Sequence, residues 1–140
     1  MAQQREARLV NEYLMQFHPT DLQWKRVRLG PVANPEEAAM MSVIQRWADA
    51  ITFDGETITI IEAKIRPEPG VVGQLEMYDD LFTQTPEFQM YWEKPRELLI
   101  LSGVDDQMTR NFAQDKGMTF QIYQPKWLAE YMFQRYGVRI

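Results

Sequence analysis

The spacing of apolar and polar residues along the chain predicts helices and strands in a regular order. An apolar stripe with helical periodicity predicts a first helix over residues 3–17, and alternating side chains predict a strand over 21–29. The later predicted elements are a loop or short helix at 32–39, two strands within 47–65, a helix at 71–83, a loop at 85–95, a strand at 97–102, a helix from 105 to about 116, a strand at 118–123 and a helix at 126–136. This order indicates an α/β fold with a mixed central sheet flanked by helices.

The two strands within 47–65 form a predicted hairpin. The Asp-Gly pair at 54–55 separates two runs rich in β-branched and aromatic residues, which is typical of a tight turn between paired strands. With a two-residue loop Glu62 is the diagonal neighbour of Asp49, and with a four-residue loop it faces Asp49 directly. Either loop places Asp49, Glu62 and Lys64 on one side of the sheet, because side chains alternate along a strand.

The second strand of the hairpin carries the candidate chemistry. It is apolar on both faces until Glu62, as expected of a central strand covered on both sides. A carboxylate buried alone is costly, and a divalent cation shared by Asp49 and Glu62 would remove that cost. Lys64 could then orient the attacking water or offset charge developing on a phosphate. These three residues are a candidate hydrolytic centre.

The order Asp49, a short hairpin, then Glu62-Ala63-Lys64 at the end of an apolar strand resembles the motif of the PD-(D/E)XK nuclease superfamily. Ala48 stands where that motif has proline. The resemblance implies a Mg²⁺-dependent deoxyribonuclease, with Mn²⁺ as a substitute cation. It implies Asp49, Glu62 and the Ala63 carbonyl as metal ligands, and a catalytic lysine at Lys64.

A second string follows on the next predicted helix. Gln74-Leu-Glu-Met-Tyr78 matches the QxxxY motif of the RecB-like exonuclease branch of that superfamily. The resemblance implies that Gln74 and Tyr78 lie beside the site and help to hold the lysine or the DNA backbone. It also implies an α-β-β-β-α-β, restriction-endonuclease-like core over about residues 3–103. Tyr78 is equally expected to pack in the core.

One acidic residue falls within the apolar stripe of the first helix. A glutamate on this helix often completes the metal site in the resembled superfamily, and Glu6 is the matching position. Alternatively, Glu6 complements the helix dipole and meets solvent.

Basic residues near the motif are candidates to contact DNA phosphates. Lys25, Arg26 and Arg28 form the densest basic cluster of the chain, which also fits the charged solvent face of an edge strand. Arg46 and Arg66 flank the motif, and Arg46 is equally able to pair with a carboxylate.

Composition limits the alternatives. The chain has 140 residues, 45% hydrophobic and 25% charged, which predicts one globular domain over residues 1–140. The absence of cysteine excludes disulfides, thiolate zinc sites and cysteine nucleophiles. With no signal-peptide pattern and no membrane-spanning run, we expect a soluble protein in the cytoplasm, or in the host cytoplasm if it is viral, with no membrane partner.

The net charge of −5 is unusual for a nucleic-acid-binding protein, although a local basic strip can coexist with an acidic whole. This charge favours a second hypothesis, a non-catalytic interaction or structural subunit of a larger nucleoprotein or viral assembly on the same fold. For the nuclease hypothesis we expect DNA as the partner, a homodimer or larger assembly that helps to hold it, and a task in DNA processing such as phage or mobile-element maintenance.

Overall fold

The computed structural model of the protein describes residues 2–40 and 45–140. The helices are α1 (Ala2–Phe17), α2 (Pro35–Met40), α3 (Gly70–Phe82), α4 (Gln107–Asp115) and α5 (Lys126–Tyr136). The strands are β1 (Leu22–Leu29), β2 (Arg46–Phe53), β3 (Ile58–Lys64), β4 (Arg96–Ser102) and β5 (Thr119–Ile122). The predicted order of elements is confirmed, and the predicted loop at 85–95 contains a 3-10 helix, Pro86–Tyr91. The start of the hairpin predicted from residue 41 onward falls at 41–44, outside the described residues.

The five strands form one mixed sheet, in which they lie side by side in chain order. β1, β2 and β3 pair antiparallel, whereas β3, β4 and β5 pair parallel. The central strand β3 is buried along its length until Lys64. The predicted α/β fold with a mixed sheet flanked by helices is therefore confirmed.

The two faces of the sheet carry separate apolar clusters. On one face α3 packs against the sheet through Val72, Leu75 and Phe82. On the other face α1 covers β3 and β4 through Leu9 and Leu14. Because both faces are covered, β3 is continuously apolar and any charge on it is withdrawn from water. Among the described helices, none combines the length and apolar character needed to cross a membrane.

Of the two predicted loop lengths, the hairpin between β2 and β3 has the four-residue loop. Phe53 pairs with Ile58, so residues 54–57 make the turn. This register sets Asp49 opposite Glu62, but the strands pair only as far as Ala50 and Ile61 before they separate.

Helix α5 packs at the end of β3. Leu128 and Met132 of α5 form a small cluster with Ile65. Gly103 makes this close packing possible, since a Cβ there would lie 2.9 Å from the Ile65 carbonyl oxygen and 3.0 Å from a Leu128 methyl group. The last helix is therefore held beside the end of the strand that carries Lys64.

Candidate active site

The candidate site lies in the gap where β2 and β3 separate. Along one edge of a strand alternate residues present their N–H groups, so Ala63 and Ile65 present theirs to the side that β2 has left. Two carboxylates accept these groups instead. Oδ2 of Asp49 accepts from the Ala63 amide at 2.8 Å, and Oε2 of Glu6 accepts from the Ile65 amide at 3.0 Å. Acidic side chains thus replace the missing strand pairing.

Glu62 lies in the wall of this gap and is only 5% exposed. Its Oε2 accepts a bond from the Tyr78 hydroxyl at 3.4 Å and lies 3.6 Å from the Lys64 ammonium. Its Oε1 is buried and has no hydrogen-bond partner among the described residues. Burial, followed by the charge of nearby Asp49, raises the pKa of Glu62 to about 8. The protein thus holds a carboxyl group whose ionised form is poorly compensated.

The pKa values of Glu6 and Tyr78 are also shifted by burial and by the charges at this site. Burial raises the pKa of Glu6 above its ordinary value, while the bond from Ile65 and the Lys64 charge lower it. Burial and the adjacent Glu62 charge raise the pKa of Tyr78, which keeps its phenol protonated as a donor. The bond from the Ile65 amide joins Glu6 of α1 to the end of β3. Glu6 therefore does more than complement the helix dipole in solvent.

A cavity of about 360 Å³ opens beside Lys64. Its lining residues are Lys64, Arg66, Glu68, Gly70, Val71 and Gln74. Gln74, at the exposed start of α3, therefore shares this cavity with the lysine, while Tyr78 one turn later is buried against Glu62. The QxxxY spacing places its two polar groups at different depths of one site.

Asp49 also borders a second cavity, of about 140 Å³, on the α1 side of the sheet. Its other lining residues are Ala7, Val10, Asn11, Lys25 and Arg26. Arg26 lies opposite Asp49 at an interruption of the β1–β2 pairing, with φ 49°, the only positive φ at a non-glycine among the described residues. This left-handed backbone costs about 1–2 kcal/mol and lies directly beside the candidate site.

The five cations that the sequence offered for DNA contact have different surroundings. Lys25 and Arg26 border Asp49, Arg66 borders Lys64, and the exposed Arg46 lies near enough to Tyr78 to lower its pKa slightly. Arg28 is different, because its side chain is 11% exposed and bonds to the Gly30 and Val32 carbonyls and to Glu87. These bonds fix the segment after β1, and they make Arg28 unavailable to a ligand.

The donors at the gap fit a small divalent cation. The Ala63 carbonyl points to the same edge as its amide, so it opens toward Asp49, and Oε1 of Glu62 lacks a partner. Oxygen ligands of these kinds are the ones Mg²⁺ prefers, usually with several waters retained. Within residues 2–40 and 45–140, no three His, Cys, Asp or Glu side chains form a group that could hold a metal ion. A cation here would depend on two carboxylates, the carbonyl and water.

Some residues near the site were not singled out from the sequence. Asn11 lines the cavity beside Asp49, and three arginines, Arg5, Arg135 and Arg139, lie on or next to α5. For Arg135 and Arg139 a signal was present, since basic and aromatic residues are frequent at the end of the chain. Their position near the site depends on how α5 packs, which this signal does not contain.

No protein-family model matches the chain, and no curated protein matches it in sequence. Among solved structures it is similar to a repair endonuclease from Pyrococcus abyssi, at 16% identity and a TM-score of 0.55, over 86% of this chain and 47% of that one. It is also similar to EndoMS in its apo form, at 16% identity and a TM-score of 0.54, over 86% of this chain and 46% of that one.

A structure of EndoMS in a dsDNA complex is similar as well, at 15% identity and a TM-score of 0.51, over 84% of this chain and 44% of that one. The chain spans somewhat less than half the length of these structures. At such low identity, the likeness shows an endonuclease-like α/β fold.

Proposed function

We propose that this protein is a Mg²⁺-dependent DNA phosphodiesterase of the PD-(D/E)XK type. The observation that carries the proposal is the gap between β2 and β3, where Asp49, Glu62 and Lys64 come together and Oε1 of Glu62 is buried without a partner. A buried carboxylate without compensation is destabilising unless it takes up a proton or a ligand binds it. The endonuclease-like fold, and the dsDNA in the name of one similar structure, support the proposal.

Asp49, Glu62 and the Ala63 carbonyl would hold the cation, with Glu6 at the edge of the gap as an additional carboxylate. When bound, a divalent cation supplies positive charge at the scissile phosphate and lowers the pKa of the water that attacks it. Binding requires that Glu62 lose its proton, so cation affinity should rise with pH.

The remaining side chains act on the phosphate and the water. The Lys64 ammonium, 31% exposed and facing the larger cavity, can donate to a phosphate oxygen as negative charge develops on it. Gln74 lines the same cavity and can orient the same phosphate. Tyr78 holds Glu62 in place through its hydroxyl, so its role is positioning.

The test combines metal binding with cleavage. Calorimetric titration of Mg²⁺ and Mn²⁺ into wild type and Asp49→Asn is paired with cleavage assays on single-stranded, duplex and branched DNA. Asn at this position keeps an oxygen to accept from the Ala63 amide, so the variant should fold. Glu56→Gln, an exposed carboxylate in the hairpin loop, is the matched control. We expect binding and cleavage in wild type and Glu56→Gln, and loss of both in Asp49→Asn.

The second candidate function is a non-catalytic interaction module on this fold. It is favoured by the acidic net charge of −5 and by the lack, within the described residues, of a ready-made group of three metal-binding side chains. The same titration separates the two. No heat of binding for either cation, together with no cleavage of any DNA, would overturn the enzyme proposal and leave the interaction module.

A further inference from the structure

The last helix lies outside the core that the motif predicts, yet it packs beside the end of the strand that carries Lys64. α5 packs through Leu128 and Met132 against Ile65, the residue that follows Lys64 at the end of β3. Arg66, which lines the cavity with Lys64, extends over α5 and lies 4.4 Å from the ring centroid of Tyr136. Arg66 therefore contacts both the cavity beside Lys64 and the last residue of α5.

Arginines and aromatic rings meet repeatedly along this helix. The Arg5 guanidinium, from α1, lies 5.1 Å from the Tyr131 ring centroid. Tyr136 has a second arginine at 5.4 Å, Arg135, in addition to Arg66. Beyond the helix, Arg139 lies 4.7 Å from the Phe133 ring. Tyr136 and Phe133 lie on the same side of α5, three residues apart, and we call the exposed residues Arg66, Arg135 and Arg139 the α5 arginine surface.

None of these three arginines has a carboxylate within 4 Å among residues 2–40 and 45–140, and none donates a hydrogen bond there. Four arginines elsewhere in the described residues are paired with carboxylates. The pairs are Arg8 with Glu12, Arg28 with Glu87, Arg96 with Asp79 and Arg110 with Asp105. In an acidic protein, arginines without an ion-pair partner keep their charge available to an anionic ligand.

Stacking on a ring restrains a guanidinium group without using its donors. The flat face contacts the ring, and the five N–H groups at the edge remain directed outward. An arginine held in this way loses less side-chain entropy when it binds, and its fork of donors matches a phosphate group. The rings are already occupied by arginines, which favours contact with a phosphate backbone over stacking with bases.

We propose that the α5 arginine surface binds backbone phosphates of the DNA strand outside the bond that is cleaved. This proposal rests on the proposed function, since it assigns the substrate-holding surface of that same site. The phosphates contribute affinity and set the position of the strand, and they carry no sequence information. The surface also explains how a protein with a net charge of −5 can hold a polyanion.

The test uses the full chain with Arg135→Ala/Arg139→Ala, two exposed residues whose loss should not disturb the core. Arg110→Ala, which removes an α4 arginine that pairs with Asp105, is the matched control. Affinity for a fluorescent DNA oligonucleotide is measured in EDTA over a range of salt concentrations, so that binding is separated from cleavage. Steady-state cleavage in Mg²⁺ is measured on the same proteins.

We expect the double variant to bind DNA at least about tenfold more weakly at low salt, with kcat unchanged and KM raised. Its slope of log affinity against log salt should be shallower by about 1.4 to 1.8, since two phosphate contacts are lost. Arg110→Ala should match wild type. Arg135→Lys/Arg139→Lys, which keeps charge but loses the flat stacked group, should fall between wild type and the alanine variant.

Failure of this proposal is distinguishable from failure of the proposed function. An unchanged affinity, salt slope and KM in the double alanine variant would overturn the phosphate-binding surface and leave the nuclease intact. Salt-dependent binding that the variant weakens, with no cleavage even by wild type, would support the surface and overturn the nuclease. A wild-type protein that neither binds nor cleaves DNA would overturn both.

Discussion

The two ends of the β2–β3 hairpin place carboxylates in opposite situations. At the turn, Asp54 is exposed and its Oδ1 accepts from the Glu56 and Thr57 amides, each at 2.8 Å. These bonds lower its pKa below the ordinary value. At the open end, Glu62 is buried, one of its oxygens has no hydrogen-bond partner among the described residues, and its pKa is raised to about 8.

The comparison shows which carboxylate the folded backbone stabilises and which one burial destabilises. Asp54 is fully used by the local backbone, so its charge is most stable in the folded turn. Glu62 is buried beside Asp49, so its ionised form is less stable in the folded protein than in water. Strained or poorly compensated groups concentrate at functional sites, and the left-handed Arg26 beside Asp49 lies at this same end.

The largest expected effect is on catalysis and contrasts the two ends directly. Glu62→Gln should reduce DNA cleavage by about 10²–10³-fold or more, because it removes a charge needed in the transition state. Asp54→Asn should leave cleavage within about threefold of wild type, since it lies at the far end of the hairpin. Single-turnover cleavage rates measure both. Comparable losses in the two variants would remove the distinction between the ends.

The next effect is on the pH dependence of stability without divalent cations. Below its ordinary value of 4.5 the Glu62 carboxyl is protonated in both the folded and the unfolded chain, whereas the folded protein keeps that proton until about pH 8. The unfolded chain ionises first, so the free energy of unfolding should decrease as pH rises from about 4.5 to 8. Glu62→Gln has no such proton, and it should flatten this decrease.

The measurement is urea unfolding in EDTA at several pH values, with Glu56→Gln as the control for loss of an exposed charge. Curves for wild type and Glu62→Gln that stay parallel across this range would contradict the raised pKa. Adding Mg²⁺ at pH 8 should raise the Tm of wild type and leave that of Glu62→Gln unchanged, because ligands that bind only the folded state stabilise it.

A smaller effect is expected from the strained residue beside Asp49. Arg26→Gly should raise the free energy of unfolding relative to Arg26→Ala by about 1 kcal/mol, because glycine adopts the left-handed backbone without a Cβ clash. Both variants lose the same charge, so their difference isolates the strain. Chemical denaturation measures it, and equal stabilities would show that the backbone at Arg26 is not strained.

The smallest effect concerns the turn. Asp54→Ala removes two acceptors of backbone N–H groups and should lower the Tm by a few degrees, with no change in cleavage. Because the folded pKa of Asp54 is lowered, its contribution should be present above its ordinary value of 3.8 and lost as pH falls below it. The difference in Tm between wild type and Asp54→Ala should therefore shrink in acid.

Much of the fold followed from sequence because its signals are local. The period of the apolar residues identified the helices and strands, and the Asp-Gly pair located the hairpin that brings Asp49 and Glu62 to one edge. Loop length was not decided by that pair, because both even lengths preserve the alternation of faces. The structure has the four-residue loop, in which the Asp54 side chain accepts hydrogen bonds from the Glu56 and Thr57 amides.

The surroundings of the charged residues were not accessible from sequence. Arg28 belongs to the same basic cluster in sequence as Lys25 and Arg26. In the structure, however, it forms an ion pair with Glu87, which is 59 residues away. Glu6 binds the Ile65 amide, also 59 residues away. Such contacts depend on how helices and loops pack on the sheet, and residue spacing along the chain does not specify that packing.

By itself, the sequence determined the order of elements, the buried character of β3 and the hairpin that joins the strands of Asp49 and Glu62. These features depend on periodicity and on neighbours within one hairpin. Only the tertiary structure decided that Oε1 of Glu62 is left without a partner among the described residues, that two carboxylates replace a missing strand, and that Arg66 meets Tyr136 on α5. Those features arise where segments distant in sequence are packed together, because burial and unmet polar groups are properties of the packed whole.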